Sequence, residues 1–358
     1  MKTSSRISEA AISTAASVRP KAPCWWWRGW LLAVPAVQFT TEAESVDASA
    51  GSFSIPVTIS PAPTATVSIF SSAASGASSQ PRAIVFDAAG SYFLTFNNSN
   101  AQHSIFKVTS AGPTIITSSL LDYPGAMAFD AAGNLYIANA GGASPGTTVC
   151  KMTPAGVITV FASGFQNPHG LAFDAAGNLF VSSSGDAKIY KVTTTGFVSV
   201  FASGVAGCAG LAFDASGVSL YCAITFGTIK GVLKFHPFGS STWFATGITG
   251  ASFLAFDLEG NLYVTSSFDP FSSEPTAGAV SKVTPAGVVS ILAGAENFSF
   301  PEGIAYYSGS LYVANGYNSS VVNEITLKTN VPYTLGGTAV AGVDYSGIGS
   351  GGCPLGWE

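Results

Sequence analysis

The chain has 358 residues, of which 9% are charged, with a mean hydropathy of +0.39 and a formal net charge of −5. An average soluble domain carries about 25% charged residues, so this composition first suggests a membrane protein. Beyond residue 40, however, no run approaches the roughly 18 apolar residues that a spanning helix needs, and no Lys/Arg cluster offers the footprint of a nucleic-acid binder, so neither a membrane span there nor a nucleic-acid partner is expected.

In chain order, residues 1–40 read as an export segment. Lys2, Arg6, Arg19 and Lys21 precede an apolar stretch over 25–39, and Val34-Pro35-Ala36 offers small residues for a signal peptidase. Arg28 interrupts the stretch, and non-native upstream sequence is the alternative. With a body poor in charge and rich in Ser and Thr, an extracellular or periplasmic location is expected.

The remainder is dominated by a repeat. One copy runs Gly170-Leu171-Ala172-Phe173-Asp174-Ala175-Ala176-Gly177-Asn178-Leu179-Phe180-Val181, then Lys188-Ile189-Tyr190-Lys191-Val192, then Phe197-Val198-Ser199-Val200-Phe201-Ala202. Its Phe-Asp step recurs at Asp87, Asp130, Asp174, Asp214 and Asp257, at intervals of 40 to 44 residues. A sixth copy, Gly303-Ile304-Ala305-Tyr306-Tyr307, has lost the Asp. Each copy holds four β-rich segments separated by turn signals, which predicts an all-β, six-bladed propeller of four-stranded antiparallel blades. The repeats fall near 81–120, 121–164, 165–205, 206–248, 249–295 and 296–328, within a propeller spanning 66–328. The repeated Asp residues are read as turn formers: Asp accepts from backbone N–H groups a few residues on, and the following Gly supplies a positive φ. The sixth copy lacks a fourth strand of its own. Thr66-Val67-Ser68-Ile69-Phe70-Ser71-Ser72-Ala73 resembles that strand and precedes the first copy, so an N-terminal strand is expected to close the ring.

The pattern Pro-x-Gly-[Leu/Ile]-Ala-Phe-Asp-x-x-Gly-Asn-Leu-Tyr-Val-Ala, followed by a Lys-Val-Thr-Pro-x-Gly hairpin, resembles the NHL and SMP-30/gluconolactonase-like six-bladed propeller repeats over about two-thirds of the chain. That resemblance implies a fold; its members include lactonases, the streptogramin lyase and propellers that only bind partners. Outside the repeats, 50–60 and 336–345 resemble two pieces of a Calx-β domain. The flanks at 41–65 and 329–358 are therefore expected to be β-rich and incomplete as a domain.

Propellers present ligands at the channel mouth, where the inner strands begin. The residue after the repeat's Pro position is Arg82, Gly125, His169, Ala209, Ser252 and Glu302 in successive copies. Resemblance to the lactonases implies a divalent cation, Ca²⁺ or Mg²⁺, held by Glu302 with Asn139 and Asn315. Glu302-Gly303 matches two residues of the family's Glu-Gly-Pro motif, while its Pro-Asp-Gly step has no counterpart here. Resemblance to the streptogramin lyase implies His169 as a general base with Glu302 beside it. Arg82 and Ser252 are further channel-mouth candidates. His103 and His236 lie outside these positions. Of the five cysteines, only Cys208 and Cys222 flank one hairpin, and both a disulfide and two buried thiols remain open for them. Two functions follow: an exported scaffold binding an unknown small molecule or protein at the channel mouth, or a metal-dependent lactonase or lyase.

Overall fold

The computed structural model describes residues 36–39, 57–60, 65–72, 80–96, 104–141, 146–267, 278–294, 296–298, 300–316 and 321–327. Most of the export segment, the Calx-β-like pieces and His103 lie outside these residues. The chain divides into two units, one of residues 1–64 and 328–358, the other of 65–327. In the first, β1 (Ala36–Phe39) pairs antiparallel with β2 (Val57–Ser60).

The second unit is a six-bladed propeller, and every described element in it is a strand. It begins with β3 (Thr66–Ser72). Blade 1 is β4 (Pro81–Phe86), β5 (Tyr92–Phe96), β6 (Ser104–Thr109) and β7 (Gly112–Thr117); blade 2 is β8 (Pro124–Phe129), β9 (Leu135–Asn139), β10 (Thr148–Met152) and β11 (Ile158–Ser163). Blade 3 is β12 (Pro168–Phe173), β13 (Leu179–Ser183), β14 (Lys188–Val192) and β15 (Val198–Ser203); blade 4 is β16 (Cys208–Phe213), β17 (Leu220–Ile224), β18 (Gly231–Phe235) and β19 (Ser241–Thr246). Blade 5 is β20 (Ala251–Phe256), β21 (Leu262–Ser266), β22 (Ala279–Val283) and β23 (Val289–Ala293). Blade 6 is β24 (Pro301–Tyr307), β25 (Ser310–Asn315) and β26 (Val321–Thr326), with β3 paired antiparallel to β26 as its fourth strand. The innermost strands touch in sequence, and β24 touches β4, which joins the last blade to the first.

The turn chemistry accounts for the repeated Asp. Asp130 Oδ1 accepts the N–H groups of Ala132 (2.9 Å) and Asn134 (2.8 Å), and its Oδ2 accepts the Asn134 amide (2.7 Å). Asp87, Asp174 and Asp257 make the corresponding bond to the N–H four residues on, and Gly90, Gly133, Gly177 and Gly260 follow at positive φ. Burial pushes the Asp130 carboxyl upward, but the hydrogen bonds from Asn134, Ala132 and Tyr136 outweigh it and hold the group below its ordinary range.

The second strands β5, β9, β13, β17 and β21 are buried at every residue, because a blade stacks against neighbours on both faces. Aromatic rings lock blade to blade. Tyr136 of blade 2 packs edge-on against Phe161 of its own outer strand (4.9 Å) and Phe173 of blade 3 (5.0 Å). Phe180 repeats this with Phe201 and Phe213, and Tyr221 with Phe244 and Phe256. At the seam between the last blade and the first, Tyr312 meets Phe70 of β3 and Phe86 of blade 1, both at 4.6 Å. The Phe of each Phe-Asp step is thus the ring a blade offers to the preceding blade. Lysines of the third strands cover the same aromatic row: Lys107, Lys151, Lys191, Lys234 and Lys282 each lie over a second-strand ring of their own blade.

Phe70→Ala is therefore expected to destabilise the propeller by about 1–3 kcal/mol, since it removes ring contacts on both sides of the seam. Phe201→Ala, which removes the corresponding ring of blade 3, should cost a similar amount. Denaturant titration of the two variants checks this, and a neutral Phe70→Ala would mean that β3 adds nothing to the seam.

Candidate functional site

All six inner strands carry a register shift just after they begin, between Pro81 and Ala83, Pro124 and Met127, Pro168 and Leu171, Cys208 and Leu211, Ala251 and Leu254, and Pro301 and Ile304. A bulge leaves backbone groups without ladder partners and re-aims side chains. Arg82, Gly125, His169, Ala209, Ser252 and Glu302 all sit in these bulges.

In alternate blades a hydroxyl on the second strand repairs the ladder. Gly170 N–H donates to Ser182 Oγ (2.7 Å), and that hydroxyl donates to the Ala209 carbonyl of the next blade (2.6 Å). Thr95 links Ala83 N–H (3.1 Å) to the Gly125 carbonyl (2.9 Å) in the same way, and Thr265 links Phe253 N–H (3.0 Å) to the Glu302 carbonyl (2.6 Å). In blades 2, 4 and 6 the corresponding residues are Ala138, Ala223 and Ala314. The inner strands approach closely: a Cβ on Gly210 would lie 2.5 Å from the Ser252 carbonyl oxygen, and one on Gly303 2.6 Å from Ala83 Cα. Glycine is required there for space.

Within this wall the structure brings Arg82 and Glu302 together, with His169 near enough for the Arg82 charge to act on it. Arg82 Nε lies 3.8 Å from Glu302 Oε2, with the two side chains 17% and 27% exposed. The guanidinium also lies near Gly125 of blade 2, where an added Cβ would be 3.7 Å from Arg82 Cζ. The His169 ring packs against Phe253 of blade 5, with centroids 5.5 Å apart. His169 Nδ1 is buried and makes no hydrogen bond. The two small residues of blade 4, Ala209 and Gly210, separate the strands that carry His169 and Phe253. Phe253 was not legible as a site residue, since copy five lacks the Pro that marks the position, and its only signal is the step after Ser252. Ser252 is buried at the equivalent point of blade 5.

The surrounding wall strips solvation from these groups although water still reaches part of each. Enclosure pushes the His169 imidazolium down, and the nearby Arg82 charge adds to this, for a pKa of about 3; the ring is neutral at physiological pH. Enclosure pushes the Glu302 carboxyl up, and Arg82 offsets this only in part.

Asn139 and Asn315 are placed differently. Both are buried at second-strand ends, where their amides hold the loops that lead into the inner strands. Asn139 Oδ1 accepts Asp122 N–H (3.1 Å) and its Nδ2 donates to the Leu120 carbonyl (2.8 Å); Asn315 Oδ1 accepts Phe300 N–H (3.0 Å). Ser183 does the same for Gln166 in blade 3. A divalent cation would thus meet one carboxylate already facing a guanidinium and two amides whose oxygens are in use. As arranged, the donor set fits such an ion poorly. His236 is exposed in the turn before β19, and Cys208 and Cys222 form a disulfide between β16 and β17, with Cα atoms 5.9 Å apart.

No protein-family model matches the sequence, and no curated protein resembles it in sequence. Solved structures do resemble the fold. Virginiamycin B lyase from Staphylococcus aureus is 12% identical with a TM-score of 0.54, covering 74% of this chain and 99% of its own. A gluconolactonase from Xanthomonas campestris is 13% identical with a TM-score of 0.59, covering 87% and 99%. An auxiliary nutrient binding protein from Bacteroides thetaiotaomicron is 14% identical with a TM-score of 0.60, covering 79% and 85%. The chain shares the six-bladed fold of the gluconolactonase-like and virginiamycin B lyase-like propellers. At these identities the likeness concerns architecture alone.

The enclosed imidazole makes a prediction about stability. A His whose folded pKa is depressed is a site where the unfolded chain binds a proton that the folded chain refuses, so stability is lost as pH falls from about 6.5 toward 3. Glu302, raised in the fold, acts with the opposite slope above its ordinary pKa of 4.5. His169→Gln is expected to lose less stability than the parent between pH 7 and pH 4, read as denaturation midpoints across that window. Equal slopes would show that water solvates the imidazolium freely.

Proposed function

We propose that this protein is an exported propeller that binds a small polar ligand at its channel mouth, using Arg82, His169, Ser252 and Glu302. The observation that carries this is the unpaired His169 Nδ1 in the same wall as an ion pair too long for a hydrogen bond. Enclosed polar groups ordinarily find partners, and a site that leaves several incomplete holds its capacity for something else. Export is supported by the Cys208–Cys222 disulfide, since disulfides persist in oxidising compartments.

A second reading is an enzyme. The gluconolactonase and the virginiamycin B lyase share the fold, and the neutral His169 with an unpartnered ring nitrogen has the form of a general base, although a pKa of about 3 makes it a weak one until a bound group raises its basicity. That reading needs the Asn139 and Asn315 amides to exchange their loop hydrogen bonds for an ion.

Two measurements on the full chain separate these readings. A ligand that binds the folded site raises the melting temperature. Thermal-shift screening with small polar compounds should give hits that Arg82→Ala and His169→Ala abolish, whereas hits insensitive to both variants would place binding elsewhere. Calorimetric titration of Ca²⁺, Mg²⁺, Mn²⁺ and Zn²⁺ tests the enzyme reading: binding lost in Glu302→Gln would favour it and justify a screen of lactones and cyclic esters.

A further inference from the structure

We propose that the ligand of this channel is a short hydroxycarboxylate, clamped by Arg82, and that its binding transfers one proton from solvent to Glu302. This rests on the channel-mouth reading above and specifies its chemistry.

Arg82 is the only arginine after residue 28, and it stands in the channel wall. Of the six third-strand lysines, five lie over a second-strand ring of their own blade, and Lys188 pairs with Asp186 at 3.1 Å. The Arg82 guanidinium has no hydrogen bond to a described residue. Its one charged neighbour among the described residues is reached through Nε at 3.8 Å, beyond hydrogen-bond distance and without the parallel two-bond geometry in which guanidinium and carboxylate fit best. An enclosed planar donor fork without a hydrogen-bond acceptor is complementary to a planar pair of oxygens, and a ligand carboxylate supplies that pair.

The residues at the same level of the remaining inner strands are few in kind and mostly small. From β8 the guanidinium meets Gly125, which has no side chain; β16 contributes Ala209, β20 contributes Ser252 and Phe253, and β12 contributes His169. His169 and Glu302 are therefore the only titratable groups facing Arg82 from these strands. The Phe253 ring beside His169 offers an apolar surface for a short carbon chain, while the unpartnered His169 Nδ1 suits a ligand hydroxyl.

Charge balance then brings in the proton. The empty wall holds one guanidinium and one carboxylate, and a second carboxylate would leave an enclosed net charge of −1. As the ligand's oxygens engage Arg82, Glu302 loses its only compensating charge and takes one proton from solvent to become a neutral acid. No bond between heavy atoms forms or breaks. His169 is the competing acceptor, and the variants separate the two.

The test is isothermal titration calorimetry of the full chain with lactate, and with glycerol as the uncharged probe, at pH 7 in phosphate and in Tris, whose ionisation enthalpies differ. Lactate should bind with an uptake of up to about one proton per ligand. Glu302→Gln, which mimics the neutral acid, should bind lactate at least as tightly with uptake abolished, and His169→Gln should keep the uptake. Arg82→Gln should weaken binding by about tenfold or more, and Arg82→Lys, which keeps charge but not the fork, should also weaken it. Thermal melts confirm that each variant is folded. Lactate binding without proton uptake, uptake surviving in Glu302→Gln, or affinity unchanged in Arg82→Gln overturns the proposal. Glycerol binding at the channel without lactate binding overturns the carboxylate inference and leaves the channel-mouth reading standing; if neither probe binds and no compound in the thermal screen depends on Arg82, both fall.

Discussion

The molecule depends on how tightly its six innermost strands are drawn together. At Gly210 and Gly303 the neighbouring backbone is so near that a single added carbon would overlap it. No hydrogen-bond ladder joins these strands from blade to blade, and the bulges at the strand starts forfeit part of the ladder within them. Ser182, Thr95 and Thr265 resolve both deficits at once, since one hydroxyl accepts from its own blade and donates to the next. Buried backbone groups left unpaired would cost roughly 1–3 kcal/mol each, so in blades 1, 3 and 5 these hydroxyls offset part of what the bulges forfeit, while blades 2, 4 and 6 carry the same bulge with Ala138, Ala223 and Ala314 in their place. The bulges in turn place the residues at 82, 169 and 302 where they can meet across strands distant in sequence.

Further out, a different interaction takes over. The aromatic row built from second-strand rings, outer-strand rings and the Phe of the following blade's Phe-Asp step binds neighbours without directional hydrogen bonds. Because Phe70 packs on Tyr312 at the seam as Phe201 packs on Phe180 in blade 3, β3 belongs energetically to the blade it joins. The core is thus divided by radius: hydroxyl bridges near the axis, where space permits only small groups, and rings farther out, where the wedge between blades widens.

This division explains what could be read beforehand. The blade count followed from the spacing of Asp87, Asp130, Asp174, Asp214 and Asp257 together with the sixth copy at 303–307 that lacks the Asp, because each Asp turn is local: Asp, Gly and the amides they serve lie within four residues. Arg82, His169, Ser252 and Glu302 were legible as a set because they share one position relative to the repeat. Their mutual geometry was not, since it depends on which inner strands touch. Phe253 escaped notice because its importance lies in reaching His169 across blade 4, and nothing in copy five marks that reach. The role of the Asn139 and Asn315 amides was hidden for a similar reason: an amide at a strand end looks the same in sequence whether it faces an ion or fastens a loop.

The channel position itself argues that its charged residues are not there for the fold. Blades 2 and 4 form with Gly125 and Ala209 at this point, so the bulge makes no demand for a long or ionisable side chain. Enclosing a guanidinium, a carboxylate and an imidazole costs free energy that a neutral side chain would not, and the loose pairing of Arg82 with Glu302 recovers only part of it. The depressed imidazole and the raised carboxyl are the direct expressions of that cost. A cost of this kind, concentrated at three positions of one ring whose equivalents manage without it, is the physical ground on which the proposed ligand-binding role rests.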